Sequence, residues 1–185
     1  MIDTCSCMIL NYNDAKIVKK LVTEIENYPV FNHIVVVDNC STDDSYADLQ
    51  SLVSEKVTVI KTDKNGGYGY GNNFGTRYIK EHFNSKYVLL SNPDVVFSND
   101  LIQRFVRTME QQPQLALISA IQHDINNQPI HDLSWKVPTS FEYAILNSGK
   151  LARFFQQMMY WILVNLSSML IVFQVLCYFM IQINF

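Results

Sequence analysis

Asn92-Pro93-Asp94, directly after the apolar run 87–90, is a place in this chain where a divalent cation could be held. A carboxylate there can bind Mg2+ or Mn2+, and the ion in turn neutralises a diphosphate leaving group. Residues 64–75 read KNGGYGYGNNFG. Gly66, Gly67, Gly69, Gly71 and Gly75 permit unusual φ values and close approach of backbone to a ligand. Asn72 and Asn73 can offer hydrogen bonds to a diphosphate or to sugar hydroxyls beside a helix start. Residues 35–45 read VVVDNCSTDDS and put Asp38 at the end of a β-branched run, where it can accept hydrogen bonds from a ribose or a base N–H. Asn39, Ser41, Thr42 and Asp43 follow as turn and helix-cap residues. Asn11-Tyr12-Asn13 closes the run 5–10 in the same manner. Taken singly, each segment also reads as an ordinary turn. The glycine segment fits neither the G-x-G-x-x-G frame nor a G-x-x-x-x-G-K-[ST] loop.

The elements that must position these residues alternate between two periodicities. Residues 5–10, 33–37, 57–60, 87–90 and 115–120 are short apolar runs of strand length. Residues 14–27 carry Ile17, Val18, Leu21, Val22 and Ile25 at helical spacing, with Asn13 or Asp14 as N-cap. Residues 45–54, 74–83 and 100–111 also read as helices. Strands this apolar are buried on both faces, so the expectation is a three-layer α/β/α fold around a mostly parallel sheet. Ligands of such sheets bind at the carboxyl ends of the strands, and all four polar segments fall there.

The chain has 185 residues, 49% hydrophobic and 17% charged, with a formal net charge of -3. That balance lacks the basic footprint of a nucleic-acid binder. A phosphate ligand must be held by local devices, namely backbone N–H groups, a metal or a few placed side chains. Cys5, Cys7, Cys40 and Cys177 form no C-x-x-C pair, and His33, His82, His123 and His131 have no zinc-ligand spacing. The cysteines read as small buried hydrophobes in a reducing, cytoplasmic compartment, with Cys5 and Cys7 on one face of a strand. The N-terminus has no basic region of the signal-peptide kind.

Together and in this order, MILNYN (8–13), VVDNCSTDDS (36–45), KNGGYGYGNNFG (64–75) and LLSNPDVVF (89–97) resemble the inverting family 2 glycosyltransferases of GT-A (Rossmann-like) fold. The rhamnosyltransferase-like branch is the nearest in look, and the resemblance runs over about residues 4–145. It implies a nucleoside diphosphate sugar donor, with dTDP-rhamnose as the suggested one. It also implies a glycan or lipid-linked acceptor in the full-length family. Leu10, Asn11, Tyr12 and Asp38 would contact the base and ribose, with Asn39, Ser41 and Asp43 beside them. Asn65, Gly66, Gly67 and Asn73 would line the donor pocket. Asn92 and Asp94 stand where the family has its D-x-D motif, and Asp94 would be the metal ligand. Asn92 in place of the first Asp leaves one fewer negative charge.

Residues 1–145 are expected to form this domain, and 146–185 an apolar helical tail. From Gln156 to Phe185 there is no charged residue, a length sufficient to span a bilayer and to hold the chain at the inner face of the cell membrane. Family members need a downstream acidic residue as general base, and after Asp132 only Glu142 is acidic. No catalytic base is therefore assigned, and the acceptor-binding half is missing. Read from each codon's third base, residues 169–185 can spell a block close to the family's D-x-V-S-G-A-x-x-L. The expectation is a truncated or frameshifted chain, the shift lying between residues 150 and 168. Two rivals are a membrane-anchored nucleotide-binding protein without transferase activity and a nucleotidyltransferase. The latter needs a basic glycine loop after its first strand, which Asn11-Tyr12-Asn13-Asp14 does not supply.

Overall fold

The computed structural model describes residues 5–120, residues 123, 126 and 128, and the backbone of the strand 178–182. The chain divides into two compact units, Met1–Ala120 with Cys177–Phe185, and Ile121–Leu176. Every helix and strand among the described residues belongs to the first unit. The expected boundary at residue 145 lies outside the described residues.

The order is β1 (Cys5–Asn11), α1 (Ala15–Ile25), β2 (Phe31–Asp38), α2 (Ser45–Leu49), a 3-10 turn (Gln50–Leu52), β3 (Val57–Lys61), α3 (Tyr68–His82), β4 (Tyr87–Ser91), α4 (Asn99–Gln111), β5 (Leu117–Ile118) and β6 (Tyr178–Gln182). They build one sheet in the order β3-β2-β1-β4-β6-β5. β1, β2, β3 and β4 run parallel, and β6 is antiparallel to both β4 and β5. The mostly parallel sheet expected from the apolar runs is present.

Alternation along the strands divides the core into two layers. Cys5, Cys7 and Ile9 of β1 face one side with Ile34 and Val36 of β2 and Tyr87 and Leu89 of β4. Against them pack Val18, Leu21, Val22 and Ile25 of α1, and Ile102, Phe105, Val106 and Met109 of α4, each set at helical spacing. Met8, Val35, Val37, Val88 and Leu90 face the other side and are covered by Ile79, Phe74 and Tyr78 of α3. Burial pushes the Cys5 thiol up to about 12 and raises that of Cys7 as well, so both behave as apolar groups. Ile17, expected on the inner stripe of α1, is instead exposed.

Three elements differ from their sequence expectation. The first helical turn is not capped by a side chain of Asp14; Asn11 Oδ1 accepts the Asp14 N–H at 3.2 Å. α3 begins at Tyr68, within the glycine segment, and not at residue 74. Glycine disfavours helix when packing is ignored, but here close packing decides. A Cβ on Gly75 would lie 2.6 Å from Val37 Cγ2 and 2.8 Å from Met8 Cγ, and one on Gly71 would strike Leu10 Cδ1. The two glycines lie one turn apart and let the helix backbone rest on the sheet. Finally, Tyr178–Gln182, expected as helix, is a strand that fills the slot between β4 and β5. An apolar run of aromatic and aliphatic residues fits a buried strand as well as a helix, and periodicity does not separate the two. The rest of the expected helical tail lies outside the described residues. Among the described residues no helix is long and apolar enough to cross a membrane.

The glycines of α3 make a paired prediction. Gly75→Ala drives a methyl into the fully buried Val37 and Met8 and should lower stability by roughly 1–3 kcal/mol. Gly69→Ala meets nothing within 4 Å and should raise it by up to about 1 kcal/mol through helix propensity. Urea unfolding of both variants checks the pair; equal effects would contradict the close-packing account.

Candidate functional site

The four polar segments emerge at the carboxyl ends of β1, β2, β3 and β4, which are neighbours in the parallel part of the sheet. What joins them is a run of side-chain hydrogen bonds. At its centre is Asp38, the last residue of β2, which is fully buried. Asn11 Nδ2, from the end of β1, donates to Asp38 Oδ1 at 2.8 Å. The Ser41 hydroxyl donates to the same oxygen at 2.5 Å, and the Ser41 N–H donates to Asp38 Oδ2 at 3.0 Å. A buried carboxyl group needs such donors because its water has been removed.

A second clamp lies outside the first. Asn13 holds φ at 56°, a left-handed conformation that asparagine tolerates better than most residues. Its N–H donates to Ser41 Oγ at 2.9 Å, its Nδ2 donates to Thr42 Oγ1 at 3.1 Å, and its Oδ1 accepts the Thr42 N–H at 2.8 Å. These bonds fix the turn that carries Tyr12, which is 46% exposed. Asp43 caps the start of α2, accepting the Ser45 N–H at 3.0 Å, and its bonds from Ser45 hold its carboxyl below the usual range.

Asn39 carries the connection to the β3 end. Its Nδ2 donates to Asn65 Oδ1 at 3.1 Å and to the Gly67 carbonyl at 3.2 Å, while its Oδ1 accepts from the Thr62 hydroxyl at 3.3 Å. Asn65 Oδ1 also accepts the Gly67 N–H at 3.0 Å. Gly67 has φ 85° and ψ 180°, a conformation open essentially to glycine alone, and it turns the chain into α3. Asp63 accepts a hydrogen bond from the Tyr70 hydroxyl, which lowers the Asp63 pKa and raises that of Tyr70. The last link is Tyr68, the first residue of α3, whose hydroxyl donates to Asn92 Oδ1 at 3.0 Å. The four strand ends are thereby laced into one rim.

The rim sorts the expected site residues into two sets. Asn11, Asp38, Asn39 and Ser41 are buried; the side chains of Asn11, Asp38 and Ser41 bond one another, and that of Asn39 is committed to Asn65, Gly67 and Thr62. Asp38, expected to reach a ribose or base, has both oxygens occupied by protein donors. Leu10 is half-buried and packs with the α3 layer. Tyr12, Asp43, Asn65, Gly66, Gly67, Asn73 and Asp94 are exposed, and Asn92 is half-buried. Asn72 and Asn73 lie inside α3 and not beside its start, with Asn72 buried. Tyr68 is not singled out by the sequence, and Asn13, a cap candidate within the first polar segment, proves to hold the loop after β2. An aromatic residue among glycines at a strand-to-helix turn was the available signal for Tyr68.

Asp94 is exposed beyond β4, with Asn92 two residues before it. Among the described residues no group of three His, Cys, Asp or Glu side chains could cage a metal. One carboxylate at an open rim suits a Mg2+-like ion that takes its remaining ligands from phosphates and water. The donor set fits a metal brought in with a diphosphate.

A parallel sheet with an antiparallel strand inserted beyond β4, and a polar rim at its carboxyl edge, defines the GT-A class of nucleotide-sugar-binding folds. The Glycosyl transferase family 2 model matches residues 6–165, and the chain belongs to that family. Among curated proteins none matches it. Solved structures confirm the fold. The mannosyltransferase PcManGT from Pyrobaculum calidifontis, in complex with GDP-Man and Mn2+, superposes with a TM-score of 0.56 at 17% identity, over 64% of this chain and 35% of that one. S. aureus TarS 1-349, in complex with UDP-GlcNAc, gives 0.55 at 17% identity, over 75% of this chain and 38% of that one. The chain thus spans well under half the length of either structure.

The rim makes a stability prediction. Asp38→Ala strands the buried Asn11 amide and the Ser41 N–H, each at roughly 1–3 kcal/mol. Tyr12→Ala, at an exposed position, should stay within about 0.5 kcal/mol of the wild type. Thermal unfolding compares them, and an Asp38→Ala protein as stable as Tyr12→Ala would remove the rim's central bond from the account.

Proposed function

We propose that this chain is the donor-binding part of a glycosyltransferase that takes a nucleoside diphosphate sugar. The observation that carries this reading is the rim. Exposed Tyr12, Asn65-Gly66-Gly67 and Asp94 stand on a hydrogen-bonded base at the carboxyl edge of a parallel sheet, where such folds bind nucleotides. The relatives crystallised with GDP-Man and UDP-GlcNAc support the same ligand class.

The parts have distinct tasks in this reading. Tyr12 offers a flat apolar face to a base. Asn65, Gly66 and Gly67 let backbone approach the donor, and the start of α3 directs N–H groups toward its phosphates. Asp94 would hold a Mg2+ or Mn2+ ion, which when bound would stabilise the charge of the departing nucleoside diphosphate. Asp38, Asn39 and Ser41 act beneath the ligand by fixing the loops above them.

Transfer itself is a displacement at the anomeric carbon. The acceptor oxygen forms a bond to that carbon, the bond to the diphosphate breaks, and a base takes the acceptor's proton. None of the residues assigned to the rim fills the role of that base. Glu142, the sole acidic residue after Asp132, lies outside the described residues. Donor binding is therefore the task assigned to residues 5–120. We place the acceptor-side half in the alternative reading frame of the tail, and sequencing the gene tests that part. dTDP-rhamnose as donor and a cell-surface glycan precursor as acceptor belong to the same proposal, on the strength of the N-G-G-Y and N-P-D motifs. A cytoplasmic place at the membrane's inner face belongs to the competing reading, in which the uncharged run 156–185 is an anchor and not a frameshift product.

Calorimetric titration of the full chain with UDP, GDP and dTDP, with and without Mn2+, tests it. Binding of at least one of the three should tighten with Mn2+. Asp94→Ala should remove that gain, a change on the order of tenfold or about 1.4 kcal/mol. Binding that ignores both Mn2+ and Asp94 would contradict the donor-site reading.

A further inference from the structure

By its resemblance to family 2, Asn92 stands where the D-x-D motif has its first acid, and a hydrogen bond decides what it offers instead. A carboxamide has two unlike edges, an oxygen that can accept or ligate a cation and an NH2 that can only donate. Tyr68 OH donates to Asn92 Oδ1 at 3.0 Å, so the oxygen edge is turned toward the start of α3. Among the described residues the Asn92 side chain makes no second hydrogen bond. The main chain on either side of the contact is held as well. Ser91 Oγ donates to the Asn92 carbonyl at 2.9 Å, and Pro93 fixes φ at the next residue. Tyr68 follows Gly67, whose carbonyl and N–H are tied to Asn39 and Asn65. Tyr68 is 39% exposed, so it reaches Asn92 over the surface and not through the core.

We propose that Tyr68 is a positioning residue of the donor site. By taking up the Asn92 carboxamide oxygen, it makes Asn92 meet the nucleoside diphosphate as an N–H donor and leaves Asp94 as the only metal ligand from this strand end. The inference rests on the donor-site reading above. Its consequence is a division of labour within three residues. Asn92 contributes to nucleotide binding whether or not a metal is present, since an N–H2 group bonds directly to a phosphate or ribose oxygen. Asp94 contributes only through the ion. Tyr68, without touching the metal, determines the first and not the second.

The test is a titration of the full-length chain with UDP, GDP and dTDP, first in EDTA and then with Mn2+, comparing wild type, Tyr68→Phe, Asn92→Asp and Asp94→Ala. For the nucleotide that wild type binds best, Tyr68→Phe should weaken binding in EDTA by about tenfold, because Asn92, no longer held, loses its hydrogen bond to the charged nucleotide. It should leave the fold-gain on adding Mn2+ unchanged. Asn92→Asp should lose at least as much in EDTA and show a larger Mn2+ gain, because a second carboxylate is then available. Asp94→Ala should do the reverse, keeping the EDTA affinity and losing the Mn2+ gain. Tyr68→Phe with unaltered EDTA affinity overturns the inference. So does Tyr68→Phe with its Mn2+ gain cut as in Asp94→Ala, since Tyr68 would then be serving a metal ligand. If wild type binds none of the nucleotides, the donor-site reading itself fails, and this inference with it.

Discussion

The buried carboxyl group of Asp38 is the constraint on which the rest of the rim depends. It sits at the end of a central strand with no exposure to water, and it can stay there only while donors surround it. Asn11, from the neighbouring strand, and Ser41, from the loop after β2, are those donors. Each is thereby fixed in place, and each passes the order on. Ser41 Oγ accepts from the backbone of Asn13, and Asn39, next to Asp38, reaches the glycine segment. Loops that would otherwise be independent turns become one surface.

That arrangement explains why the sequence needs so many small polar residues at four separate strand ends. Half of them hold the others. The exposed Tyr12 and Asn65 do not have to be ordered by a ligand because the buried members have already ordered the loops that carry them. Preorganisation of this kind reduces what a ligand must offset on binding. α3 takes part through Gly71 and Gly75, which let its backbone rest on Leu10, Met8 and Val37.

Much of this is legible in the residues. The runs 5–10, 33–37, 57–60 and 87–90 mark strands within a residue or two of their bounds, because continuous apolar runs between turn residues leave little choice. Cys5 and Cys7 share a face, as a period of two requires. Family membership is legible too, because four motifs in one order constrain more than any one of them. What is not legible is which polar residues point inward. Asp38 and Asp43 are the same residue type in the same segment, yet one is sealed in the sheet and the other caps a short helix. Only the pairing of β1 with β2, which sets Asn11 beside Asp38, separates them. The start of α3 is hidden for a similar reason: glycine counts against helix until a sheet lies close beneath it. Tyr178–Gln182 reads as helix because its place in the sheet depends on β4 and β5, far away in the chain.

The central claim is that the laced strand ends form a metal-assisted nucleotide site. Paramagnetic broadening of backbone amide signals by Mn2+, recorded with UDP, GDP or dTDP present, tests it most directly. Signals of Tyr12, Asn65, Gly67 and Asp94 should broaden together, while those of His33 and Ser85, at the opposite edge of the sheet, stay sharp. Broadening centred on the His33 edge, or none that depends on nucleotide, would contradict the account.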